Sequence, residues 1–198
     1  MNEIWNFVLF LFATAVAQNI VLTTGFGSSM LLRIVRHPKE MGVFSAVLGV
    51  FSVLTVVISY PLDMLIGIDF EAKLLRPLMI TAVVAVLYCL ASVILSKLFP
   101  AFYARVAKFL PLASFNNLVI GVALICNHKF STSLLGAIGL ALGCCVGFVL
   151  LSLVTAEGIE RTDNPDIPAA FRGLPIMLVY VGLLALAILG FSPSLVLI

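Results

Sequence analysis

Two carboxamide pairs lie within apolar stretches of the chain, Gln18-Asn19 and Asn116-Asn117. Thr23, Thr24, Gly25, Gly27, Ser28 and Ser29 follow the first pair, and Gly121 follows the second. Amide and hydroxyl oxygens are hard ligands that suit a hydrated or partly dehydrated cation. They also carry no charge, which would be costly at the centre of a bilayer. The plainer use of such residues is to hydrogen-bond one membrane helix to another, at about 0.6–2 kcal/mol each. Both uses require the segments to sit inside a protein rather than against lipid.

The composition places them there. Of the 198 residues, 63% are hydrophobic and 10% charged, with a mean hydropathy of +1.24, against about 25% charged in a soluble domain. The chain is an integral membrane protein. A net charge of +2, with no basic stripe carrying interleaved aromatics, excludes nucleic acid as a partner. The first residues, MNEIWNFVLF, have no basic n-region and read as a retained span.

Spans of about 20 apolar residues are expected at 4–24, 41–61, 75–96, 111–127, 132–156 and 174–195. The loops are too short for a soluble catalytic domain. Eight basic residues (Arg33, Arg36, Lys39, Lys97, Arg105, Lys108, Arg161, Arg172) fall in the first, third and fifth loops. Three (Lys73, Arg76, Lys129) fall in the others. The excess puts the odd loops in the cytoplasm and both termini outside. The third-loop run KLFPAFYARVAKF reads as an interfacial helix on that leaflet.

A shift of 98 residues lays Gln18-Asn19-Ile20-Val21-Leu22 on Asn116-Asn117-Leu118-Val119-Ile120, Gly49 on Gly147, and Pro77 on Pro175. Three spans per copy would invert the second copy, as in transporters whose central sites are formed by discontinuous helices. The expected fold is therefore all-α: one membrane domain of six helices in two inverted three-helix repeats, 1–98 and 99–198. The first and fourth helices would be broken and would meet around Gln18, Asn19, Thr23, Thr24, Gly25, Gly27, Ser29, Asn116, Asn117 and Gly121.

Several stretches resemble the small six-helix membrane subunits of the Rnf and Nqr complexes, the RnfA/RnfE and NqrD/NqrE family. They are Gln18-Asn19-x-Val21-Leu22 with Gly27, FLPLASFNNLVIGVALI from Phe109, and DIPAAFRGLPI with Pro168, Phe171, Arg172 and Gly173. Outside termini would match RnfA and NqrE. The resemblance implies a membrane component of an ion-translocating oxidoreductase, paired with a second subunit of the same fold in the bacterial inner membrane. In the family the pair clamps a 2Fe–2S cluster, with one cysteine from each broken helix. Those two positions are Ser29 and Asn117 here, poor substitutes for thiolates, so the chain is expected to hold no cluster half-site and no metal.

The missing ligands leave open a stand-alone transporter or channel-like protein for an ion or small solute, or an assembly subunit beside a cysteine-bearing sister. Cys89, Cys126, Cys144 and Cys145 read as packing residues. Asp63, Asp69 and Glu71 read as a solvated outer loop, and His37 and His128 as solvated side chains. Arg172 reads as an interface anchor or a docking residue. The small residues of GAIGLALGCCVG read as allowing close helix approach.

Overall fold

The structure is a computed structural model and describes residues 2–17, 19–66, 70–129, 133–162 and 167–191. These residues are helical almost throughout. Ten α-helices follow one another: α1 (Asn2–Phe12), α2 (Ile20–Thr24), α3 (Ser28–Ile34), α4 (Pro38–Ile66), α5 (Phe70–Leu98), α6 (Pro100–Val106), α7 (Leu110–Ser114), α8 (Asn117–Lys129), α9 (Leu134–Thr162) and α10 (Leu174–Phe191). A π-helical turn, Ala13–Ala17, continues α1, and a 3₁₀ turn, Ala169–Phe171, precedes α10.

Three helical stretches are long and apolar enough to cross a membrane: Lys39–Met64, Leu74–Leu98 and Leu134–Thr162. A fourth arises if Pro100–Val106 and Leu110–Cys126, which meet at 62°, form one bent span. Glu3–Val16 and Leu174–Gly190 are apolar but shorter. The long helices overrun their apolar sequence runs at both ends, because a helix ends where its backbone partners do rather than where its side chains become polar.

α9 is the centre of the packing, with 56% of its most apolar window buried against 11% for α5. α1 and α4 both lie along it, and α8 lies along α4. In lipid there is no water to drive helices together, so close approach over small residues has to supply the contact. A β-carbon at Gly139 would lie 2.7 Å from the Phe7 carbonyl oxygen, and one at Gly143 would overlap Thr14 and Leu11. α1 and its π turn thus rest on a glycine track of α9, as the small residues of that span suggested. Phe44 of α4 seals the other side, its ring 5.9 Å from that of Phe148 and 6.4 Å from that of Phe109.

One expectation is overturned at the end of the α4–α5 hairpin. Asp63 is not in a solvated loop. It lies within α4, and Arg76 Nε of α5 approaches its Oδ1 to 2.7 Å, with both side chains largely buried. Both helices continue past their apolar runs, and this draws the pair into the hairpin. Asp69 lies outside the described residues.

Candidate functional site

The first break is built by backbone geometry. α1 passes into the π turn, where the Thr14 hydroxyl donates to the Phe10 carbonyl at 2.6 Å. π turns of this kind often mark functional sites. Asn19 then leaves helical geometry and caps α2, its Oδ1 accepting from Val21 N at 3.1 Å. α2 lasts five residues and stops at Gly25, whose φ of 74° is left-handed; Gly27, at 80°, starts α3 in the same way. A side chain would be strained at both places.

The second break has no glycine. α7 ends at Ser114, Phe115 and Asn116 step out of the helix, and α8 begins at Asn117. Asn116 Oδ1 accepts from Leu118 N at 2.9 Å, as Asn19 does for Val21. The asparagines with the same role are therefore Asn19 and Asn116, one residue short of the offset that aligns Asn19 with Asn117.

The two breaks touch. A β-carbon at Gly27 would lie 3.4 Å from Asn116 Oδ1 and from Leu118 Cβ, while one at Gly121 would overlap the Phe26 ring. The residue between the two left-handed glycines thus packs on the glycine of α8. Asn19 also reaches α9, its Nδ2 donating to the Gly147 carbonyl at 3.0 Å. A β-carbon at Gly147 would sit 2.9 Å from that nitrogen. Asn19 and Asn116 are both deeply buried, at 4% and 5% exposure. Asn116 Nδ2 is buried without a hydrogen-bond partner among the described residues.

The remaining candidate residues divide. The Thr23 and Thr24 hydroxyls donate to the carbonyls of Asn19 and Ile20 within their own turn. Thr24, Gly25, Ser29 and Asn117 are exposed at the surface of the chain. Gln18 lies outside the described residues. In the loop before α10, Phe171 N donates to the Pro168 carbonyl, Arg172 Nε donates to the Ile167 carbonyl at 2.8 Å, and Gly173 precedes α10. That loop is folded on itself and remote in sequence from both breaks.

Thr14, Phe26 and Gly147 escape a reading based on polar pairs. The glycine spacing in α9 was the available signal, since Gly139, Gly143 and Gly147 recur on one helix face.

The donor set at the two family cluster positions is a hydroxyl and a carboxamide, which does not fit an iron–sulfur cluster. The cysteines do not replace them. Cys89 is exposed on α5, while Cys126, Cys144 and Cys145 are buried. Among the described residues no three His, Cys, Asp or Glu side chains gather as metal ligands.

Comparison with known proteins gives a consistent answer. The family model for the Rnf-Nqr subunit, a membrane protein, matches residues 7–195. The chain is 30% identical over 188 residues to the RnfA component of the ion-translocating oxidoreductase complex of Actinobacillus pleuropneumoniae serotype 5b, covering 94% of this chain and 96% of that one. It is 32% identical to the same component from Cronobacter sakazakii, with the same coverage. The corresponding Alcanivorax borkumensis protein is 30% identical over the same shares.

Proposed function

Because this chain belongs to the Rnf-Nqr family of membrane subunits, we propose that it is the RnfA-like membrane component of an ion-translocating oxidoreductase complex. In this reading it supplies the polar centre of the membrane domain without holding its half of a cluster. The observation that carries the reading is the pair of touching breaks with Ser29 and Asn117 exposed beside them. Those residues stand on the surface where a second subunit of the same fold would meet the chain. Other subunits of the complex are the expected partners, and the bacterial inner membrane is the expected location.

The order of elements supports six spans in two inverted repeats forming one domain. Each half runs through short helical pieces (α1–α3, then α6–α8) into two longer helices (α4 and α5, then α9 and α10). An odd number of crossings per half inverts the second copy. The basic residues of the first, third and fifth loops support both termini lying outside.

The polar centre narrows to Asn116. The oxygens of Asn19 and Asn116 already accept backbone N–H groups, and Asn19 Nδ2 is committed to Gly147. Asn116 Nδ2 is the uncommitted group, a donor that would bind the oxygen of a water travelling with an ion. The Thr23 and Thr24 hydroxyl oxygens keep lone pairs for the ion itself. The test uses membrane vesicles from cells with and without the gene. Donor-driven ion uptake should disappear on deletion, return with the wild-type gene, and not return with Asn116→Leu. Uptake that survives deletion would refute the reading.

A second reading is favoured by the same serine and asparagine: a stand-alone transporter that kept the fold and lost redox work. It predicts ion or solute flux in liposomes holding this chain alone, with no electron donor.

A further inference from the structure

A cavity of about 230 Å³ opens where the end of α3, the start of α4 and the α6–α7 elbow converge. It is smaller than the roughly 300–1,000 Å³ of pockets that enclose a drug-sized ligand. Its basic lining comes from Arg33, His37 and Lys108, and its apolar lining includes Ile34 and Phe109, both buried. Glu40 is the one carboxylate on the wall, and Lys108 already pairs with it. Lys108 also stands 4.7 Å from the centre of the Phe109 ring. Arg33 and His37 have no carboxylate partner among the described residues. The wall therefore carries an uncompensated positive charge above an apolar floor.

The elbow bears the marks of the membrane surface. α6 turns 62° from the helix that follows it. It is preceded by exposed Phe99 and carries exposed Phe102, half-buried Tyr103 and exposed Arg105, while Val106 is buried inward. A short helix with exposed aromatics and a basic residue lies in the plane of the bilayer at headgroup depth. The basic loops belong to the side where anionic lipids concentrate, and basic pockets between membrane helices on that side accept lipid headgroups.

We propose that this pocket binds the phosphate of an anionic phospholipid, with Arg33 as the principal contact and Lys108 shared between the phosphate and Glu40. The acyl chains would run along the apolar wall. The site is separate from the breaks and does not depend on the redox role of the chain.

The test is native mass spectrometry of the full chain released from nanodiscs of equal phosphatidylglycerol and phosphatidylcholine. Wild type should retain phosphatidylglycerol about fivefold over phosphatidylcholine, the preference that one basic residue near the surface supplies. Arg33→Gln should remove most of that preference, since Arg33 is exposed. Glu40→Gln should raise it by freeing Lys108, an opposite sign that loss of folding would not produce. Equal retention of both lipids by wild type, or an unchanged preference in Arg33→Gln, would overturn the proposal. So would displacement by millimolar inorganic phosphate without any lipid preference, which would mark a soluble-anion site.

Discussion

At the first break, Asn19 commits its whole carboxamide: the oxygen caps α2 at Val21 and the nitrogen ties α2 to Gly147 of α9. At the second, Asn116 caps α8 at Leu118 and leaves a buried nitrogen without a partner among the described residues. The first break is held by two left-handed glycines and a cross-helix bond, and the second by a cap alone. The same residue type in the same capping role therefore serves the framework in one place and is available for binding in the other. A polar residue inside a membrane protein acquires a functional reading from what it leaves unsatisfied, since each buried unpaired group needs an explanation.

The strongest way to break the comparison is to remove the close approach on which the first break depends. Gly147→Val would force side-chain atoms against Asn19 Nδ2 and the Ala15 carbonyl. Overpacking of this kind costs about 1–3 kcal/mol or more, and here it also removes the tie, so we expect a loss of about 3 kcal/mol. The readout is a lower melting temperature in detergent. An unchanged melting curve would mean that α1 does not rest on α9 as described.

The carboxamides can then be set against each other. Asn19→Leu loses a cap of about 1 kcal/mol and an interhelical bond of about 0.6–2 kcal/mol, so a loss of about 2 kcal/mol is expected. Asn116→Leu loses a cap but relieves a buried unpaired donor whose cost is about 1–3 kcal/mol, which should keep its stability within about 1 kcal/mol of wild type. Ion uptake by the complex should fall all the same. Equal destabilisation by the two substitutions would erase the distinction between the breaks.

The smallest effect on stability belongs to Ser29→Cys with Asn117→Cys. Both positions are exposed, so the change should stay within about 0.5 kcal/mol. The double variant recovered with its partners should nevertheless gain 2Fe–2S absorption that wild type lacks at this position. Unaltered iron content would mean that the two surface positions do not converge on one site.

Much of this architecture is legible in the residue order. Glycine, hydroxyl and carboxamide residues interrupting an apolar run foretell the first break, and Gly25 and Gly27 are its left-handed residues. The family and the membrane setting follow from stretches that stay recognisable in an otherwise apolar chain. The registers are less legible. Two adjacent asparagines cannot reveal which one caps, because the choice between Asn116 and Asn117 depends on where α7 ends. The burial of Asp63 was hidden for a similar reason: hydropathy marks where apolar side chains stop, and α4 runs past that point to pair Asp63 with Arg76. The π turn has no sequence marker of its own; the packing of α1 on the α9 glycines accompanies it.

The most direct measurement is recovery of the chain from native membranes in mild detergent at its natural abundance, with mass spectrometry of the proteins that accompany it. The account predicts a cysteine-bearing homologue of the same fold and flavin- or NADH-binding subunits in fixed proportion. Recovery alone, or only as copies of itself, would contradict it and leave the fold to a transporter that works without electrons.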